Sequence, residues 1–307
     1  MNKKDFITSL NKLKIIKILL PFFLFAFLYK YSYISFDPIK TIFYYGKIKL
    51  IILIFFLSLA CSFSLYFRFS YCLYIYKIRL NKLKSFEISS QAYSFASFIP
   101  GQLGIDALRI GKLRKLDLTK FKTNLIKSTI LEKIFALLSQ IFIVIIFILN
   151  DNLVKFLFFV AVFILFYLIS FLIKKGENKF SLIKKFTEEI TFYNISRLFL
   201  ICILANIISC YLIKSIAVTL DMNYSLKVMS ISSILSNIAG IIPISPNGLG
   251  ISEFVFSEVT QNFENLNTNN SIATIYFAYR ILNLFSHFAI YYFIKLINSF
   301  KQRLIIN

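Results

Sequence analysis

The stretch LVKFLFFVAVFILFYLISFLI, residues 153–173, carries one charge in about six turns of helix. In water such a segment has no polar face to present; in a bilayer it is long enough to cross about 30 Å of hydrocarbon. Five more segments read the same way: Ile15–Ile34, Leu50–Tyr71, Leu125–Leu149, Leu198–Leu220 and Ile272–Ile297. A soluble domain would show amphipathic stripes instead. With 58% hydrophobic and 16% charged residues, the chain reads as an all-α polytopic membrane protein, one domain over residues 1–307 with about six full transmembrane helices. The first apolar run continues through PFFLFAFLYKYSYI with no small-residue cleavage site, so no cleavable signal peptide is expected.

The net charge of +21 would raise nucleic acid as a partner for a soluble protein. In a membrane protein it has a simpler origin, because Lys and Arg gather in cytoplasmic loops. The basic segments are the N-terminus, Lys77 to Lys84, Arg109 to Lys127, Lys174 to Arg197, and the tail with Lys301 and Arg303. Between them lie the lysine-poor loops NDN (150–152), DMNYS (221–225) and SEVTQNFENLNTNNS (257–271). This alternation places both termini in the cytoplasm, with the chain in the cytoplasmic membrane and no nucleic acid as partner. The four cysteines all fall in apolar segments without C-x-x-C spacing and read as buried thiols. With His287 the single histidine, neither a metal site nor a cofactor is expected.

Two segments, 86–111 and 226–256, are moderately apolar and serine-rich, meet a Pro/Gly break, and then reach a charge. As full spans they would put the following basic loops on the wrong side. As re-entrant hairpins they preserve the charge alternation, giving seven or eight segments by hydropathy. The two also resemble each other. ISSQAYSFASFIP (88–100) and ISSILSNIAGIIP (231–243) share Ile, Ser, Ser, Ala, Ile and Pro at an offset of 143. LGI at 103–105 then returns as LGI at 249–251, followed by Asp106 in one copy and Glu253 in the other. Three spans separate the copies, so the second enters from the opposite face: an inverted repeat of two broken helical hairpins, whose site is expected where the breaks meet. The break residues are Pro100, Gly101 and Gly104 in the first copy, and Pro243, Pro246, Gly248 and Gly250 in the second.

Pro100, Gly104, Asp106 and Arg109, the element PNGLGISE from Pro246 to Glu253, and Arg280 in the last span together resemble the flippase-like family named for the transmembrane region of lysylphosphatidylglycerol synthase, over nearly the whole chain. Two positions depart from the family pattern. Ile105 stands where a small residue is expected, and Lys133 rather than Arg follows Glu132; a lysine cannot reproduce a bidentate guanidinium contact. The soluble aminoacyl-transferase domain of the bifunctional synthases is missing from the sequence, so aminoacylation of lipid is not implied. The resemblance implies movement of a phospholipid or lipid-linked headgroup between leaflets. It leaves open a lipid-synthesis enzyme as a further partner, and the oligomeric state.

Ionisable groups within spans are costly and mark function by default. The expected substrate-binding residues are Asp106, Arg109, Glu132, Glu253, Arg280 and Asn283. Arg280 lies on a helical stripe, Tyr276, Arg280, Asn283 and His287, which must face protein or water. Glu132 is a candidate partner for Arg109 or Arg280. The alternative for each charge is a structural ion pair. Two other functions stand beside the transporter. An intramembrane lipid or glycosyl transferase could use the carboxylates as acid and base, although no nucleophile–base pair accompanies them. A non-catalytic accessory of envelope lipid synthesis would need none of them. A transporter rather than an enzyme is the expected class.

Overall fold

Hydrocarbon offers no hydrogen-bond partner to a peptide group, so an apolar segment must satisfy its own backbone, and an α-helix does this within one segment. The computed structural model describes residues 48–96, 103–114, 122–175, 191–242, 248–264 and 272–306, and among them every regular element is an α-helix. In chain order these are α1 (Ile48–Ile75), α2 (Lys82–Ala96), α3 (Leu103–Arg114), α4 (Lys122–Ile148), α5 (Asn152–Lys175), α6 (Phe192–Thr219), α7 (Leu226–Ala239), α8 (Ile251–Glu264) and α9 (Ile272–Ile306). Within α1, α4, α6 and α9, the stretches Ile48–Ile75, Thr123–Ile148, Phe192–Thr219 and Ile272–Ser299 are long and apolar enough to cross a membrane. The 28 residues of α1 rise about 42 Å, which matches a bilayer with its headgroups. The 24-residue α5 is of comparable length, and its stretch Asn152–Leu165 is apolar. The expected span Ile15–Ile34 lies outside the described residues.

Short helices replace spans where the sequence analysis expects hairpins. The elements before and within the two segments follow the same order. A 28-residue helix, α1 or α6, ends on a left-handed residue, Lys77 (φ 58°) or Asp221 (φ 60°). In both, paired backbone bonds close the end: Ile78 N donates to Leu73 O and Lys77 N to Tyr74 O, while Met222 N donates to Ala217 O and Asp221 N to Val218 O. This is the Schellman arrangement, here formed without glycine. A polar cap then starts the short helix: Asn81 accepts from Leu83 N, and Ser225 Oγ accepts from Val228 N. Two helices of 15 and 12 residues follow in the first case, and two of 14 in the second.

The chain divides into two compact units, one of residues 1–60, 90–109 and 209–307, the other of residues 61–89 and 110–208. In the first, α7 and α8 form an antiparallel hairpin. Gly240 lies against Gly248 and Ser252 near its tip, and eight residues further along each helix Thr260 Oγ1 meets Ser232 Oγ at 2.9 Å. α9 packs on α8 through Phe256 and Tyr276, and Ser209 of α6 shares a 2.8 Å hydrogen bond with Tyr279 of α9. In the second unit, Phe69, Leu73, Ile78, Ile88, Leu113 and Leu125 form a buried apolar cluster, and Phe142 of α4 packs against Phe158 and Phe199.

Large apolar side chains such as Phe56, Phe156, Phe285 and Phe293 are exposed, while Ser62, Ser90, Ser94, Ser128, Ser232, Ser233 and Ser236 are buried. Small residues let membrane helices approach closely. Several of these hydroxyls donate within their own helix, as Ser94 Oγ to Ser90 O (2.9 Å) and Ser236 Oγ to Ser232 O (2.7 Å), while Ser232 Oγ meets Thr260 of α8. These buried serines allow close helix packing. All four cysteines are buried as free thiols.

The hairpin turn depends on two glycines. Gly248 (φ 73°) and Gly250 (φ 89°) hold left-handed backbone, and a Cβ on Gly248 would lie 2.5 Å from Gly240 Cα. Gly248→Ala is expected to cost about 1–3 kcal/mol from backbone strain, with the backbone clash adding to it. Gly111→Ala meets nothing within 4 Å, and in a helix it is expected to gain about 0.5–1 kcal/mol. Thermal unfolding of the two purified variants in the same detergent compares the two effects.

Candidate functional site

The first unit assembles polar residues along one face of α9. Glu253 is the third residue of α8, and Gly250 is its N-cap, since Gly250 O accepts from Phe254 N at 3.0 Å. Glu253 Oε2 reaches back to accept the Gly250 N–H at 2.7 Å, the carboxylate half of a capping box. The helix dipole also favours a negative charge in this first turn. The other oxygen, Oε1, accepts from Arg280 Nη1 at 2.9 Å. The Glu253 side chain is 1% exposed and that of Arg280 15% exposed, so the pair is largely withdrawn from solvent. One helical turn before Arg280, Tyr276 OH donates to Asn237 Oδ1 at 2.8 Å, joining α9 to the end of α7. One turn after it, Asn283 presents a buried Oδ1 with no hydrogen-bond partner among the described residues.

Further along the same face, His287 stacks on Tyr93 of α2, with ring centroids 4.7 Å apart and planes 16° from parallel. The Arg109 guanidinium lies over the Tyr93 ring at 4.9 Å from its centroid. Asp106, in the first turn of α3, stands 3.8 Å from Arg109 Nη1, and both side chains are buried. One face of α9 thus meets two acid–arginine pairs, supplying Arg280 to Glu253 of α8 and meeting Asp106–Arg109 of α3 through Tyr93 and His287.

Glu132 has a different place. Its side chain is fully buried in the second unit, and Arg68 Nε of α1 donates to its Oε1 at 3.1 Å. The expected partners were Arg109 or Arg280; the ion pair formed is with Arg68. The reading of the sequence passed over Arg68, although a guanidinium in the apolar run SLYFRFSYC carries the same signal as Arg280. A second polar contact in that unit joins Asn206 Nδ2 to Ser139 Oγ at 2.8 Å. Lys214 reaches the end of α6, donating to Asn223 Oδ1 at 3.1 Å and to the Tyr224 carbonyl.

Of the expected break residues, Gly248 and Gly250 occupy the turn before α8. Gly104 does not break a helix: it is the second residue of α3. The shared LGI therefore sits differently in the two copies, inside the helix in the first and across its N-cap in the second. Pro100, Gly101, Pro243 and Pro246 lie outside the described residues.

The family model described as the lysylphosphatidylglycerol synthase TM region matches residues 14–290, and the chain belongs to that family. No curated protein and no solved structure matches the chain. Family and helices together make it a multi-pass membrane protein.

Removing one member of a buried ion pair strands the other charge, whereas replacing both with apolar residues of similar size often restores stability. Arg68→Ala is expected to lose about 3–5 kcal/mol, and Arg68→Met/Glu132→Leu to recover most of that loss. Unfolding of the single and double variants in mild detergent measures the difference.

Proposed function

We propose that the protein moves an anionic phospholipid or lipid-linked headgroup between the leaflets of the cytoplasmic membrane. The observation that supports this is the convergence on α9 of two acid–arginine pairs, Asp106–Arg109 and Glu253–Arg280, within one apolar helical unit. Each pair is balanced, so the empty site has little net charge to desolvate. A phosphate that competes with the carboxylates gains charge-assisted hydrogen bonds from Arg280 and Arg109. Asp106 and Glu253 hold the guanidinium groups when no headgroup is present, and Asn283 offers an acceptor to a hydroxyl or ammonium of the headgroup. Glu132, paired with Arg68 in the other unit, holds α1 to α4. The acyl chains stay in lipid, where they have nothing to gain from the polar face.

In this reading residues 1–307 form one transport domain. Segments 86–111 and 226–256 are re-entrant hairpins of an inverted repeat, and both termini lie in the cytoplasm. The matching caps of α2 and α7, and the matching ends of α1 and α6, support the repeat. The capping bond of Glu253 favours a second reading, in which this carboxylate is only structural. Gln at 253 separates the two, because its carbonyl oxygen can still accept the Gly250 N–H while the charge opposite Arg280 is lost.

The test is headgroup translocation in liposomes containing purified protein and fluorescent phosphatidylglycerol, with dithionite quenching of the outer leaflet. Wild type is expected to expose inner-leaflet probe at least tenfold faster than protein-free vesicles. Glu253→Gln and Arg109→Ala/Arg280→Ala, monodisperse and with intact unfolding transitions, are expected to fall to the protein-free rate. Wild-type rates in those folded variants would overturn the proposal and leave an accessory role. Turnover that depends on an added donor would identify a transferase.

A further inference from the structure

The balance of the buried charges sets what else must move when a headgroup arrives. In the unit of residues 1–60, 90–109 and 209–307, Asp106 with Arg109 and Glu253 with Arg280 form two closed pairs without net charge. A phosphodiester brings one negative charge into that set. Two features of Glu253 decide where the countercharge goes.

First, the carboxyl group is tied in place and Arg280 is not. Glu253 Oε2 accepts the Gly250 N–H at 2.7 Å, which fixes the group at the start of α8, while Oε1 accepts from Arg280 Nη1 at 2.9 Å. Arg280 is the longer side chain and the more accessible one, 15% exposed against 1% for Glu253. When a phosphate draws the guanidinium away, Oε1 is left buried beside no cation. An ionised carboxylate in that position is costly enough that the group neutralises instead.

Second, no other cation stands by to replace Arg280. Among the described elements, α7 and α9 pack closely on α8. The one ionisable residue of α7 is Lys227, ten residues before Asn237 and so about 15 Å along the helix from the contact with Tyr276. On α9 no lysine or second arginine lies within two turns of Arg280. Its ionisable neighbours there are Tyr276, bonded to Asn237, and Tyr279, bonded to Ser209, with His287 two turns on against Tyr93. On α8 the next acid, Glu258, is five residues further and about 140° round the helix. A proton is therefore the countercharge within reach.

We infer that binding of an anionic headgroup is coupled to uptake of one proton by Glu253, a coupling that rests on the translocation reading of this site. The ion pair between Arg280 and Oε1 opens, an O–H bond forms at Oε1 with a proton from water, and the phosphate takes the guanidinium. The capping bond persists throughout, because Oε2 of the acid is a carbonyl oxygen and still accepts the Gly250 N–H. On release the proton returns to water and the ion pair closes. The site is neutral in both states. Because the complex holds one proton more than its separate components, affinity falls as pH rises, by about tenfold per unit where uptake is complete.

The experiment titrates short-chain phosphatidylglycerol into the full chain in phosphatidylcholine nanodiscs, with empty nanodiscs as background. Calorimetry in two buffers of different ionisation enthalpy counts the protons exchanged for each lipid bound. Wild type is expected to take up about one proton per headgroup and to lose affinity about tenfold per pH unit. Glu253→Gln, neutral from the start, is expected to bind without uptake and without pH dependence. In wild type, lipid addition is also expected to raise the infrared band of a carboxylic acid, displaced when the protein carries isotope-labelled glutamate. That band decides the assignment should Glu253→Gln fail to fold. Uptake retained in folded Glu253→Gln, or a band indifferent to the glutamate label, would put the proton on Asp106 or His287 and overturn the inference. Binding without uptake would overturn it and leave the translocation reading standing, whereas no binding above empty nanodiscs would remove both.

Discussion

The want of hydrogen-bond partners in hydrocarbon is the constraint on which this structure depends. It makes the long apolar segments helical, and large apolar side chains such as Phe56 and Phe293 can face outward. Among the buried serines, Ser94, Ser128, Ser233 and Ser236 turn their hydroxyls back on their own helices. The same constraint makes an interruption of helix expensive, so each described interruption is closed by specific bonds. Lys77 and Asp221 take left-handed backbone to close α1 and α6. At the start of α8, Gly250 has its N–H satisfied by Glu253.

Glu253 shows how the interruption and the charge depend on each other. A carboxylate buried beside a helix N-terminus is stabilised by the N–H it caps and by the helix dipole, and that stabilisation lets it oppose Arg280 without water. Arg280 in turn has its carboxylate partner held in place by the capping bond to Gly250. The Asp106–Arg109 pair has a looser contact of 3.8 Å, and its guanidinium rests on an aromatic face instead. Of the two arginines, Arg280 is the more tightly bound to its carboxylate, and Arg109 is the one anchored by a ring.

Arg68–Glu132 is made of the same groups but is placed between two long helices, at 3.1 Å, away from any described turn. That position suits a bond that holds α1 to α4. An ion pair between long helices and one at a helix N-terminus look alike in a sequence, since each is an acid and an arginine in apolar company. At Glu253 the second oxygen also caps the start of α8.

Much of this was legible in the residues. Length and hydropathy marked the long helices, because crossing hydrocarbon demands about twenty apolar residues whatever they pack against. Gly248 and Gly250 marked the turn before α8, and the isolated charges marked positions that need partners. Periodicity put Tyr276, Arg280, Asn283 and His287 on one face of α9, since helical geometry is local. The choice of partners was not legible. Nothing in the chain order says that Glu132 meets Arg68 or that His287 stacks on Tyr93, because those contacts join residues 64 and 194 positions apart and follow from how helices pack. Nor could matching LGI triplets reveal that Gly104 lies within a helix while Gly250 caps one, a difference set by the backbone around them. The sequence by itself determined a membrane-spanning helical chain with charges that need burial; tertiary structure alone decided which charges neutralise each other, since pairing depends on distance in space and not along the chain.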